Sequence, residues 1–227
     1  MKKTLLGIYN SLLNSYGERN WWPAKNRFEV IVGAVLVQNV SWSNAEKAVN
    51  NLKKYNLLNP PSIHKSSVKK LAPLIRSSRF YNQKAEKLKN FTDYLFNNYN
   101  GSLNKMFTVD TEKLRKELLD IKGIGRETAD SILLYAGKKP SFVSDAYTKR
   151  FLERYGLLNG LSSYEEIRSL FMDNIPEDTY MYNEYHALIV HHGYAVCKSK
   201  PSCQICPVKK ISKKIYCSHP SNFEHSD

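Results

Sequence analysis

Apolar positions along the chain recur every three to four residues. No stretch alternates convincingly with a period of two, so the pattern predicts helices throughout. Leu5, Leu6, Tyr9, Leu12, Leu13 and Tyr16 fall on one face of a first helix, with Gly17 placed to end it in a left-handed cap. Phe28 to Val37 is apolar nearly all round, which marks a helix buried inside a bundle. Ser43 and Glu46 have the spacing of a capping box, and Ala45, Ala48, Val49, Leu52 and Tyr55 keep helical intervals after it. Pro60-Pro61 reads as a break. Asn82 to Tyr99 reads as a long helix with Ala85, Leu88, Phe91 or Tyr94, and Leu95 inward, closed by Asn100-Gly101. Further helices fit 111–120, 126–135, 145–155, 164–172 and 179–196. The expectation is an all-α protein of about ten short helices, without repeats or low-complexity segments. Residues 218–227 are polar and expected to be a disordered tail.

A length of 227 residues suits one large domain or two small ones, and 42% apolar with 24% charged residues excludes wholesale disorder. The longest apolar run, Val30 to Val37, is far short of the roughly 20 residues that span a membrane. The opening M-K-K-T-L-L-G-I-Y imitates a secretory leader, but it stops at Asn10 and Ser11 without a small-residue cleavage site. It reads instead as the first helix, and the expected location is the cytoplasm, at the nucleoid if the source is bacterial. Lys and Arg number 34 against 21 Asp and Glu, a formal charge of +13. That excess is either a solubilising surface or an attraction to a polyanion, and composition weighs the two evenly.

Two segments carry chemistry. All four cysteines lie in C-x5-C-x2-C-x10-C, at Cys197, Cys203, Cys206 and Cys217. Such clustering argues against scattered buried thiols, and a reducing compartment argues against disulfides, so a metal site remains. Zinc and a 4Fe-4S cluster both take four thiolates; a single C-x2-C with long, unequal outer spacings suits the cubane better. Six lysines and no acid lie within the segment, enough to offset a thiolate-ligated cluster and to extend a phosphate-binding surface. The second segment, Ile121-Lys122-Gly123-Ile124-Gly125-Arg126, joins two helices. It is either a plain tight turn or a nest whose backbone N–H groups hold a phosphate without reading a base, with Lys122 and Arg126 adding charge.

K-G-I-G-R-E-T-A-D at 122–130, an Asp at 145 and C-K-S-K-P-S-C-Q-I-C-P-V at 197–208 occur in a recognisable order. Together they resemble the endonuclease III superfamily of helix-hairpin-helix DNA glycosylases, over almost the whole chain. W-W-P at 21–23 with F-E-V-I-V-G-A-V-L-V-Q-N-V-S-W at 28–42 is similar to its 3-methyladenine DNA glycosylase branch. The last cysteine spacing is longer than the usual one. The resemblance implies a two-domain fold. A six-helix barrel would occupy 21–136, with the helix-hairpin-helix at about 111–136. A cluster domain would combine the helix of 1–20 with 137–217, including a 4Fe-4S loop at 197–217. It also implies a monomer acting on double-stranded DNA that contains damaged bases, with no membrane partner.

The resemblance further implies roles for single residues. Asp145 is the catalytic carboxylate, stabilising positive charge on the sugar and readying water, and by itself it also reads as a helix N-cap. The position of the imine-forming Lys of bifunctional members holds Glu127, which cannot form a Schiff base, so hydrolysis without lyase activity is expected. Tyr194 stands where the alkyl-purine branch can carry a Lys. Gln38 matches the residue that fills the gap left by a flipped nucleotide. Trp21, Trp22 and Trp42 are all the tryptophans in the chain; they read either as core or as an aromatic pocket that selects a cationic base. The expected substrates are alkylated purines such as 3-methyladenine and 7-methylguanine. The alternatives are a T or U mismatch, an oxidised pyrimidine, or a non-catalytic module that binds DNA structures.

Overall fold

The computed structural model describes residues 1–22, 24–158, 161–209 and 211. Among the described residues there are twelve α-helices and no strand. The chain starts in α1 (Lys2–Tyr16) and continues through α2 (Arg27–Leu36), α3 (Trp42–Lys54), α4 (Pro60–Lys65), α5 (Val68–Leu74), α6 (Tyr81–Tyr99), α7 (Leu103–Met106), α8 (Thr111–Asp120) and α9 (Arg126–Ser131). It ends in α10 (Ala146–Arg154), α11 (Tyr164–Met172) and α12 (Thr179–Ala195). Two compact units result: Met1–Trp21 with Pro140–Asp227, and Trp22–Lys139.

The unit Trp22–Lys139 is built round α2. Every residue from Phe28 to Leu36 is buried, so the all-round apolar stretch is a central helix, packed by α3, α6 and α9. The Asn26 side chain starts it by accepting the Glu29 N–H at 3.0 Å. In the other unit α12 packs against both α1 and α10. Phe142 stacks on Phe171 at 3.8 Å with Tyr182 and Tyr185 edge-on to Phe142, and the Tyr185 hydroxyl donates to the Leu5 carbonyl at 2.8 Å.

Several expectations need correction. Helix α3 begins at Trp42 with Ser41 as its N-cap, so Ser43 and Glu46 form no capping box. The chain reverses earlier than their spacing suggests, through Asn39 at φ 54. Pro60-Pro61 does not break the chain. It opens α4, because proline at the first helical positions gives up an N–H that would have no helical partner anyway, and Asn59 caps the Ser62 N–H at 2.9 Å. The stretch 126–135 is not one α-helix: α9 ends at Ser131, and Ile132–Ala136 forms a wide π turn in which Gly137 N–H reaches back to the Ile132 carbonyl. The expected tail at 218–227 and the fourth cysteine, Cys217, lie outside the described residues.

Candidate functional site

In the unit Trp22–Lys139, the hairpin is clamped from below. Arg115 of α8 grips Asp130 of α9 with two parallel bonds, Nε–Oδ1 at 2.8 Å and Nη2–Oδ2 at 3.0 Å, and Asp130 is completely buried. Ile121 and Ile124 point inward, the Ile124 N–H donates to the Ile121 carbonyl at 2.9 Å, and Asn90 holds the Lys122 carbonyl at 2.9 Å. This leaves Lys122, Gly123, Gly125 and Arg126 exposed on the tip. Gly123 needs to be glycine for its φ of +95. Gly125 does not: its backbone is extended and an added Cβ would meet nothing within 4 Å. No internal contact explains a glycine there, and the open space suits close approach from outside.

Trp22 and Trp42 come together in this unit, their ring centroids 5.4 Å apart and nearly perpendicular, with Tyr135 on Trp22 at 4.8 Å. Gly33 makes room for Trp22; an added Cβ would lie 3.3 Å from its ring. Both tryptophans line a cavity of about 50 Å³ that also reaches Glu29 and Glu46. Glu29 is ion-paired to Lys53 at 2.6 Å. Trp22 holds a φ of 87, a left-handed value that costs a bulky residue energy and is concentrated at functional sites. Gln38, in the turn after α2, donates from Nε2 to Thr128 Oγ1 at 2.6 Å and accepts from Lys87 Nζ.

Trp21 belongs to the other unit, where it is edge-on to His186 at 6.5 Å. The segment before it is pinned by the buried Glu184 carboxylate of α12, which accepts the Arg19 and Asn20 backbone N–H groups. Asp145 is the N-cap of α10. Its Oδ1 accepts the Thr148 N–H at 2.8 Å and the Thr148 hydroxyl at 2.9 Å, while Oδ2 faces His186 Nε2 at 3.5 Å. Burial alone would raise the Asp145 pKa. The imidazole of His186 facing Oδ2 and the two bonds from Thr148 outweigh it, so the carboxyl sits below its ordinary range and is ionised at neutral pH. Nothing in the sequence marks His186, since a single His on the apolar side of a helix carries no linear signal. The Ser144 hydroxyl, buried next to Asp145, has no hydrogen-bond partner among the described residues. Tyr147 lies over Gly193 and under the Arg150 guanidinium, 4.9 Å from its ring centroid, and Tyr194 is exposed.

Cys197, Cys203 and Cys206 line one cavity of about 20 Å³, walled by Phe151, Tyr155, Val196 and Val208. Arg154 braces it, donating to the Cys197 carbonyl at 3.2 Å, to its Sγ at 3.4 Å and to the Ser199 carbonyl at 2.9 Å. His192 Nε2 stands 3.8 Å from Cys206 Sγ, while its Nδ1 pairs with the Tyr16 hydroxyl at 2.8 Å. Burial, with His191 beside it, lowers the His192 pKa to about 4 and leaves the ring neutral. Cys197 and Cys206 are free thiols. No group of three or more His, Cys, Asp or Glu side chains arranged to hold a single metal ion occurs among the described residues. Three cysteine side chains lining an apolar, arginine-braced cavity have the soft donors that a sulfur-ligated cluster takes.

A helical hairpin with an outward glycine tip and a largely enclosed Asp at the following helix start define a class, and the family comparison agrees. Residues 32–177 match the HhH-GPD superfamily of base excision DNA repair proteins, and the chain belongs to it. Among similar proteins, "Putative DNA repair glycosylase MJ1434" of Methanocaldococcus jannaschii is 50% identical, covering 90% of this chain and 93% of that one. Endonuclease III of Sulfolobus acidocaldarius is 28% identical, covering 83% and 82%. The crystal structure of the H. pylori 3-methyladenine DNA glycosylase bound to 1,N6-ethenoadenine superposes with a TM-score of 0.70 at 30% identity, over 85% of this chain and 96% of that one. A non-covalent endonuclease III–DNA complex gives a TM-score of 0.79 at 22% identity, over 94% and 96%, which is a likeness of fold. The protein is thus an endonuclease III-like DNA glycosylase of the helix-hairpin-helix superfamily.

Proposed function

We propose that this glycosylase hydrolyses the N-glycosidic bond of alkylated purines in double-stranded DNA, as a monomer and without lyase activity. The observation that carries the reading is Asp145, a largely enclosed carboxylate kept ionised by His186 and Thr148. When the bond between C1′ and the base breaks, its electron pair leaves with the base and the sugar becomes cationic. A purine alkylated at N3 or N7 already bears a positive charge that this pair neutralises, so departure needs little acid catalysis. Asp145 stabilises the sugar cation and orients the water that adds to C1′ and gives up a proton, leaving an abasic site.

The Trp22–Trp42 pair supports the choice of base, since cation–π attraction favours a charged ring over a neutral one. Trp21, edge-on to His186 in the other unit, would offer a further aromatic face. Gln38 would fill the gap left by the extruded nucleotide, and Lys122, Gly123, Gly125 and Arg126 would hold backbone phosphate. The unit Trp22–Lys139 would serve as the helical barrel, and Met1–Trp21 with Pro140–Asp227 as the cluster domain. Cys197, Cys203, Cys206 and Cys217 would hold a 4Fe-4S cluster. That group would cross-link the loop and take no part in bond breaking, while the flanking lysines face phosphate.

Base release from duplexes carrying one defined lesion tests the reading. Release of 7-methylguanine and 3-methyladenine is expected, with intact alkali-labile strands and no borohydride-trapped adduct, because Glu127 occupies the imine-forming position. Faster release of uracil or thymine from mismatches, or a trapped adduct, would replace it.

A further inference from the structure

Lys84 of α6 is among the largest completely enclosed side chains, with 2% of its surface exposed. A lysine ammonium has three protons and no acceptor capacity. Here three carbonyls are within reach of it: Leu36 at 2.9 Å, Gln38 at 2.8 Å, and Ser78. Two belong to the end of α2 and the turn that presents Gln38. The third precedes Arg79 and Phe80, both left-handed at φ 52 and 41, with the Phe80 ring 58% exposed. One turn further along α6, Lys87 donates to the Gln38 side-chain oxygen, and Gln38 in turn donates to Thr128 of the hairpin's second helix. A buried cation thus fastens two exposed turns to one helix and aligns the Gln38 amide with the hairpin. Burial, together with Lys87, lowers the Lys84 pKa to about 8, which leaves it mostly charged at neutral pH. With its protons shared among carbonyls, Lys84 is no nucleophile.

A side chain that parts stacked bases must push against them, and unstacking a base step costs about a few kcal/mol. A turn of free carbonyls would yield under that load. We propose that Lys84 is a positioning residue for base extrusion, its buried ammonium anchoring the turn that carries Gln38. The inference rests on the reading of Gln38 as the gap-filling residue.

Two readouts test it with Lys84→Met, which keeps an unbranched apolar stem and removes the ammonium. Release of 7-methylguanine from a paired duplex is expected to slow by about 10–100-fold, as for misplaced reacting groups, and release from the same lesion in an unpaired bulge by less than about threefold. In a Gln38→Ala background, Lys84→Met should add no further slowing. Equal slowing on paired and bulged DNA would mean a merely structural role, and no slowing on either would mean none; both overturn the proposal. Should Lys84→Met not fold, Lys84→Gln takes its place with the same criteria. The second readout needs no base release: 2-aminopurine fluorescence opposite a stable abasic analogue. If wild type releases no alkylated base, the functional reading fails while this signal still decides Lys84. A wild-type fluorescence change lost in both Gln38→Ala and Lys84→Met supports the anchor; one retained in Lys84→Met overturns it.

Discussion

Two aspartates, the fully buried Asp130 and the largely enclosed Asp145, face basic side chains in different ways. Asp130 has both oxygens engaged by one guanidinium at 2.8 and 3.0 Å, in a geometry that also fixes α8 against α9. Asp145 gives one oxygen to the start of its own helix and turns the other to His186 at 3.5 Å, beyond a good hydrogen bond. Arginine stays charged at any physiological pH, whereas histidine can lose its proton. The first pair is closed and serves to hold the hairpin. The second keeps a carboxylate charged while leaving one oxygen loosely held, which suits a group that must respond to a developing cation. Burial of an acid therefore says little about its role until the saturation of its oxygens is known.

Substitutions at each aspartate should separate these roles. Asp145→Asn retains much of the helix cap but removes the charge. Base release should fall by about 10²–10⁴-fold, the range typical of a positioned acid–base or electrostatic group, with duplex affinity held or raised. Single-turnover release under saturating enzyme checks this, and wild-type release by the variant would reduce Asp145 to a cap. Asp130→Asn should do the reverse. Leaving Arg115 without its ion-pair partner should cost about 3–5 kcal/mol of stability, read by denaturant unfolding, with release per folded molecule little changed.

His186→Gln should shift the pH profile. The native Asp145 carboxyl lies below its usual value, so its stabilising interactions are complete above about pH 3.9 and fade as the pH falls through the lower folded pKa. Without His186 that pKa rises, and the acid limb of base release should move to higher pH. An unmoved limb would mean that His186 does not set the charge of Asp145.

The smallest effect is expected at the hairpin tip. Gly125→Ala meets no internal obstacle, so unfolding should be unaffected, while undamaged duplex should bind several-fold more weakly regardless of sequence. Unchanged affinity would leave the glycine without a role in phosphate contact.

How much of this was legible in the sequence follows from the range of the interactions. Helices 111–120 and 164–172 have the predicted limits because each carries its own cap and stripe, Asp110 and Ser163 accepting from Lys113 and Glu166. The buried α2 and the glycine tip at 123–125 were equally local patterns. The proline-initiated α4 and the two-turn α5 were not, being too short for a period to emerge. Family resemblance brought forward Asp145, Gln38 and the three tryptophans as candidates, but no linear pattern pairs Asp145 with His186 or reveals that Arg115 closes Asp130. Nor does it show that Glu184 reaches 165 residues back to Arg19, or that Lys84 serves carbonyls 46 and 48 residues away. A charged side chain is written the same way in a sequence whether it is solvated or enclosed. Short-range geometry settles helices, caps and turns, whereas the partner of a buried charge depends on which distant backbone the folded chain brings within about 3 Å of it.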